Sequence, residues 1–251
     1  MNKVLVVLSI IMITTSCLNA KLKQYKLEVI KEYPHDETSY TQGIFFHKGL
    51  LYESTGLNGS STFRKVDIES GEALKKLTFD KKYFVEGSTV LGNKLYILTW
   101  ESKVAFIYNI DNLKYEATYS YPREGWGLTT DGKSLIASDG SAYLYYMGKD
   151  FNHKKRIMVT LNGSPVRYLN ELEYIDGKIW ANVYTSDLIM IINPADGKVE
   201  AIVDCSGLLP LKLHNENTDV LNGIAYNPAT QKIYLTGKNW KRLYEIKLIP
   251  K

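Results

Sequence analysis

Ten residues fall at two repeated positions along this chain, and their side chains are unlike those that packing alone selects. The first set is Gln42, Glu86, Trp126, Asn170 and Asn222; the second, 14 residues later in four cases and 16 in the fifth, is Gly56, Trp100, Gly140, Tyr184 and Lys238. Together they supply one carboxylate, one ammonium, three carboxamides and three large aromatics. A lone Gln or Asn reads as a turn cap, and a lone Glu as half of an ion pair. Brought to one axis, the set makes a concave pocket with aromatic walls and a few placed polar groups, the usual form of a ligand site. Glu86 and Lys238 on the same axis point to chemistry rather than to adhesion alone.

The elements that bring them together are five similar segments. Gly43, Gly87, Gly127, Glu171 and Gly223 lie in register, with steps of 44, 40, 44 and 52 residues. After each comes a turn and a similar apolar strand: Leu51-Tyr52, Leu95-Tyr96, Leu135-Ile136, Ile179-Trp180 and Ile233-Tyr234. β-type units repeating every ~40–50 residues are the signature of propeller blades. The chain therefore reads as an all-β, five-bladed β-propeller whose equivalent positions meet at one mouth of the central channel. The constant interval places both sets of ring residues at that mouth.

Each repeat reads as two inner strands followed by two outer ones. In the second these are Glu86–Leu91, Lys94–Trp100, Val104–Ile110 and Tyr115–Tyr121. Gly92-Asn93, Asp131-Gly132 and Asp176-Gly177 mark one hairpin in three blades, where the turn needs positive φ. The fifth repeat ends after three strands, at Leu243–Ile249, and Leu27–Tyr33 resembles the missing outer strand. The N-terminal strand is thus expected to complete the last blade and remove an exposed edge.

The leader Met1–Ala20 carries Lys3, an apolar stretch Val4–Ile13 and then small and polar residues, which suits a secretory signal and is too short to span a bilayer. It ends either in a degenerate lipoprotein box, Thr14-Thr15-Ser16-Cys17, with Cys17 lipidated, or in cleavage near Ala20. Residues 21–251 form the propeller domain, exported to the periplasm or cell envelope. Any membrane anchoring would come only through a lipid on Cys17, and in either case Cys205 has no disulfide partner. A net charge of +4, with basic residues scattered among acids, is too mild for a nucleic-acid surface. The four histidines, His35, His47, His153 and His214, share no ligand spacing and read as surface or loop residues. No metal or cofactor is called for, nucleophile-elbow, Walker and Rossmann motifs are absent, and a closed ring is expected to be a monomer.

Several stretches carry a more specific signal: Tyr40-Thr41-Gln42-Gly43, Leu169-Asn170-Glu171-Leu172-Glu173-Tyr174, Trp180-Ala181-Asn182, Leu221-Asn222-Gly223-Ile224-Ala225 and Thr236-Gly237-Lys238. Over residues 25–249 the chain resembles the plant and bacterial glutaminyl-peptide cyclotransferases. The resemblance implies a five-bladed propeller that converts N-terminal glutaminyl residues of peptides and proteins to pyroglutamate with loss of ammonia. It implies a catalytic glutamate at Glu86 and site roles for Gln42, Trp100, Trp126, Asn170 and Lys238; Tyr184 and Asn222 join them from the rings. The chain departs from the plant pattern at Tyr184, where those enzymes have Trp, and at Phe84-Val85, where a smaller residue is usual.

In that reaction nucleophile and electrophile belong to one substrate, so no covalent enzyme nucleophile is needed. Trp100, Trp126 and Tyr184 would hold the side chain folded. Glu86 would carry the proton from the attacking amine to the leaving nitrogen, with Lys238, Gln42 or Asn170 stabilising the oxyanion. The alternative is a non-catalytic propeller that binds a peptide or glycan at the same mouth. A calcium-dependent hydrolase would need several carboxylates at the hub, where the ring set supplies only Glu86.

Overall fold

Aromatic and β-branched residues at alternate positions drive the regular structure of the described residues into strands. The computed structural model describes residues 22–251; the leader, with Cys17, lies outside them. Among the described residues the only helix is a 3-10 turn at Leu211–Leu213.

The strands form four-stranded antiparallel units in chain order. The first unit is Thr41–His47, Leu50–Thr55, Thr62–Val66 and Ala73–Thr78; the second is Val85–Leu91, Lys94–Thr99, Val104–Asn109 and Tyr115–Ser120. The third is Leu128–Thr130, Leu135–Ala137, Tyr143–Met147 and His153–Met158. An eight-stranded sheet follows, in the order Leu169–Ile175, Lys178–Val183, Leu188–Ile192, Val199–Asp204, Lys23–Pro34, Arg242–Pro250, Lys232–Gly237, Leu221–Asn227. In the first two units burial falls from the first strand, almost wholly buried, to a largely exposed fourth strand.

The N-terminal strand is longer than Leu27–Tyr33. Its residues pair antiparallel with the last strand (Leu27 with Leu248, Tyr33 with Leu243). Its first residues, Lys23–Lys26, run on and pair in parallel with Ala201–Asp204. Lys23–Lys26 thereby cap the outer edge of the preceding strand as well, and two four-stranded groups fuse into one sheet with no open edge between them.

Apolar faces pack between successive groups. Phe45, Tyr52 and Phe63 meet Val85, Leu95 and Ile97, while Tyr96, Leu98 and Ile107 meet Leu135 and Met147. Ile136 and Leu144 meet Ile179 and Ile192; Ile189 and Val203 meet Leu235 and Tyr244; Tyr234 and Leu243 return to Ile44 and Leu51. The contacts close on themselves, and the first strands gather round the middle, Thr41–His47 touching both Val85–Leu91 and Leu221–Asn227. The gathering is tight. A Cβ on Gly87 would stand 2.5 Å from the Trp126 carbonyl oxygen, and one on Gly127 2.0 Å from that of Asn170. The aligned glycines mark close backbone approach at the hub.

At the closure, Glu53 is fully buried and accepts from Arg64, from Thr41 Oγ1 at 2.7 Å and from His35 Nε2 at 3.1 Å. His35 Nδ1 donates to the Trp240 carbonyl at 2.7 Å. His35 is thus buried rather than on the surface, because a turn after the N-terminal strand inserts it between the first and last strand groups. Arg64 and His35 hold the Glu53 carboxyl far below the usual carboxylate range against the cost of burial.

Candidate active site

The first strands start with a defect that aims side chains. Pairing with the second strand slips between Thr41 and Gly43, Val85 and Ser88, Leu169 and Leu172, and Leu221 and Ile224. Gln42, Glu86, Asn170 and Asn222 each sit inside one of these bulges, which re-aim residues at strand ends. The bulge at Glu86 is pinned by Ser54 Oγ on its carbonyl at 2.7 Å and by Gly87 N–H on the Trp126 carbonyl at 2.7 Å. A second regularity joins the two rings. The amides of Gly56, Trp100, Tyr184 and Lys238 donate to the carbonyls of Tyr40, Phe84, Tyr168 and Val220 at 2.8, 3.0, 2.8 and 2.9 Å. Each acceptor lies two residues before a first-ring residue. Both rings therefore sit at one mouth.

Between them lies a cavity of about 190 Å³, lined by Gln42, Glu86, Trp100, Trp126, Asn170, Tyr184 and Lys238, with Tyr40 and Phe84 added. The half-buried aromatics form a collar. Tyr40 meets Phe84 edge-on at 6.2 Å, Phe84 meets Trp100 at 5.5 Å, and Trp126 meets Tyr184 at 5.7 Å. Trp100 and Trp126 are bridged by Glu124, whose Oε2 accepts both indole N–H groups at 2.9 and 3.1 Å. Lys238 Nζ closes the circuit, 4.5 Å from the Tyr40 ring and 5.1 Å from that of Tyr184. Space for two of these rings comes from second-ring glycines: a Cβ on Gly56 would stand 2.3 Å from the Phe84 ring, and one on Gly140 2.7 Å from the Trp126 indole.

Below the collar the floor is polar and buried, with Gln42, Glu86, Asn170 and Lys238 each 5% exposed or less. Gln42 Nε2 donates to Glu86 Oε1 at 3.1 Å. Asn170 Oδ1 is buried without a partner among the described residues, an acceptor for a ligand's N–H. Asn222 stands outside the cavity wall: its Nδ2 donates to the Thr41 carbonyl at 2.9 Å and to Gln42 Oε1 at 3.4 Å. It orients Gln42 so that the amide nitrogen faces Glu86.

Burial pushes the Glu86 carboxyl well above the usual carboxylate range; Lys238 opposes that rise and Glu124 adds to it. Burial lowers the Lys238 ammonium, with Glu86 and Asp219 opposing. Both groups are thus drawn toward neutrality, as buried charges without a close partner are. Asp219 also accepts from the Tyr40 phenol at 2.8 Å. Among the described residues no group of three or more His, Cys, Asp or Glu is placed to hold a metal ion.

Tyr40, Phe84, Glu124 and Asp219 are site residues that reading the rings alone passes over. The signal for the first three lies in the same repeat, two residues before Gln42, Glu86 and Trp126. The fourth repeat has Glu171 where the others have glycine, and its carboxylate crosses the hub to accept from Ile44 N–H at 3.4 Å and Ile224 N–H at 2.9 Å.

Residues 3–248 match the glutamine cyclotransferase family. Glutaminyl-peptide cyclotransferase of Arabidopsis thaliana is 44% identical over 230 residues, spanning 89% of this chain and 71% of its own. The crystal structure of glutaminyl cyclase from Myxococcus xanthus superposes with a TM-score of 0.86 at 34% identity, covering 92% of this chain and 100% of that one. The WD40 β-propeller domain of Doa1 shares 11% identity and a TM-score of 0.50 over 81% of this chain and 62% of that one, a likeness of fold alone.

Proposed function

We infer that this chain, which belongs to the glutamine cyclotransferase family, is a glutaminyl-peptide cyclotransferase that closes the N-terminal glutamine of peptides and proteins into pyroglutamate and releases ammonia. The observation that carries the mechanism is the placement of one buried carboxyl of raised affinity for protons, Glu86, on the floor of a collared cavity facing Lys238. The fold is read as a five-bladed propeller, the eight-stranded sheet counting as two blades joined through Lys23–Pro34, and residues 21–251 as one domain. Export through the leader, with Cys17 as the lipid site where the chain is anchored, belongs to the same proposal and is read by fractionation and by mass of the mature N-terminus.

The glutaminyl end enters through the collar, and its aromatic rings press the side chain into the folded form in which the α-amine reaches the γ-carboxamide carbon. Holding reacting groups in such a geometry is worth up to ~7–11 kcal/mol. Attack forms the new N–C bond and moves the carbonyl π pair onto oxygen. Lys238, which donates to no side chain among the described residues, is the donor for that oxygen. Glu86 takes the proton from the attacking amine and delivers it to the amide nitrogen as the C–N bond breaks, so ammonia leaves neutral and Glu86 is restored. A carboxyl raised toward the operating pH suits both halves of the transfer. The unpartnered Asn170 Oδ1 receives an N–H of the amine, and Gln42, oriented by Asn222, holds Glu86 in place. No cofactor takes part.

The test is binding without turnover. Glu86→Gln should bind a Gln-initiated dipeptide in calorimetry and leave it uncyclised, whereas an N-acetylated peptide, lacking the free amine, should bind at least ~10-fold more weakly through loss of a buried hydrogen bond. Equal affinity for the two peptides would remove the α-amine from the recognition proposed here.

A further inference from the structure

The aromatic collar has two joints that are not ring-on-ring contacts. One is Lys238, between Tyr40 and Tyr184. The other is Glu124, where a single carboxylate oxygen takes the N–H of Trp100 at 2.9 Å and of Trp126 at 3.1 Å. We propose that Glu124 is a positioning residue for the cyclisation: its carboxylate clamps the two indoles together and so sets the width of the mouth through which the glutaminyl end must fold. The proposal rests on the reading of the cavity as the cyclisation site.

Three features of the chain support the clamp. An indole has one donor, so both indole donors of the collar are committed to the same atom. Among the described residues each of these indoles meets one other aromatic ring, Trp100 against Phe84 and Trp126 against Tyr184. Among the described residues Glu124 is the side chain that links the two arcs of the collar on this side. The segment that presents Glu124 is itself fixed. Gly125 N–H donates to the Thr99 carbonyl at 3.1 Å and the Trp100 carbonyl at 3.3 Å, and a Cβ at 125 would stand 2.7 Å from Leu98 Cβ. A glycine there lets the loop lie on the end of the strand that carries Trp100. On the other side of Glu124, the Arg123 guanidinium stacks 4.0 Å from the Tyr145 ring centroid. The carboxylate is held from both flanks.

Position also gives Glu124 an electrostatic effect. The groups facing Glu86 are the Lys238 ammonium, the Glu124 carboxylate, the Gln42 amide and, more distantly, the Tyr40 phenol. Of these, Glu124 is the anionic one, and it favours the protonated form of Glu86. Geometry and charge can be separated by substitution, because a glutamine keeps an acceptor oxygen and loses the charge.

The experiment uses the full chain in three forms, wild type, Glu124→Gln and Glu124→Ala, with indole N–H signals followed by ¹⁵N NMR beside steady-state kinetics on a Gln-initiated dipeptide. Glu124→Ala should move the Trp100 and Trp126 signals toward those of exposed indoles, assigned with Trp→Phe variants. It should lower kcat/KM by about 10–10²-fold through misplacement of the substrate, chiefly in KM. Glu124→Gln should leave those signals and KM near wild type, while the acid limb of its kcat/KM profile moves to lower pH as Glu86 ionises more readily. Unchanged indole signals in Glu124→Ala overturn the clamp; moved signals with wild-type KM and kcat overturn its role in the reaction. Failure of the wild type itself to turn over the dipeptide would refute the cyclase reading, and the indole signals would still decide the clamp.

Discussion

Replacing Glu86 by glutamine separates chemistry from architecture more cleanly than any other single change. The substitution keeps side-chain length and an acceptor oxygen for Gln42 Nε2, now 3.1 Å from Glu86 Oε1, and removes only the titrating proton. With the shuttle gone, turnover should fall by about 10²–10⁴-fold, equivalent to about 2.7–5.4 kcal/mol of lost transition-state stabilisation. The proton moves only during reaction, so kcat and kcat/KM should fall together with KM little changed. Stability should move the other way. Glu86 is 5% exposed and its affinity for protons is raised in the fold. Such a group favours the folded state fully below its unfolded value near 4.5 and loses that contribution as pH rises through the folded value. Glu86→Gln should therefore melt near the wild type at pH 4.5 and above it at pH 8. The assays are ammonia release and thermal melting at both pH values. Activity within a few-fold of wild type would refute the proton-transfer role. Loss of activity with a lowered melting temperature at pH 8 would refute the electrostatic reasoning.

Other consequences follow from the same contacts. Gly140→Ala puts a Cβ 2.7 Å from the Trp126 ring at a φ of +76°, so it should cost about 1 kcal/mol in backbone strain and distort the near-UV circular dichroism of the tryptophans while lowering kcat/KM. Glu173, part-buried against Thr129 and Tyr226 with its pKa raised to about 8 by burial, makes stability fall between pH 4.5 and 8; Glu173→Gln should remove about 1–3 kcal/mol of that loss once solvent screening is allowed for, read from denaturant melts across this range. Arg64→Met leaves Glu53 buried with His35 as its remaining cationic partner and should destabilise by about 3–5 kcal/mol, measured by chemical denaturation at pH 7. Deleting residues 22–33 exposes the edges of Arg242–Pro250 and Val199–Asp204 and should abolish cooperative melting rather than trim a tail.

The repeat was legible because four of the five units place a glycine, and four a polar residue just before that position, at the same point of the strand. Backbones approach at Gly87 and Gly127 too closely for a Cβ, and the bulge that this forces re-aims the residue just before the glycine. One physical constraint thus wrote both the spacing and the aim of Gln42, Glu86 and Asn222, each in a bulge just before a glycine. Its exception carried information too. Glu171 occupies the fourth glycine position and spans the hub to two backbone amides of other strands, a tertiary bond with no local trace. Asn222 shares the repeat position and sits behind the wall, because a register position fixes where a strand starts and leaves open whether the side chain meets the cavity or a neighbour. Tyr40, Phe84 and Glu124 are harder to see because the shared position holds aromatic, acidic and aliphatic residues in different repeats, with Tyr168 and Val220 in the last two. The burial of His35 and the parallel pairing of Lys23–Lys26 depend on where the two ends of the chain meet, which no local pattern encodes.

The account stands or falls on what the wild-type protein does to a free glutaminyl end. Purified chain incubated with a Gln-initiated dipeptide, with and without chelator, should release one ammonia per peptide and lower the peptide mass by the same amount, at equal rates in both arms. Intact peptide after prolonged incubation with correctly folded protein would contradict it.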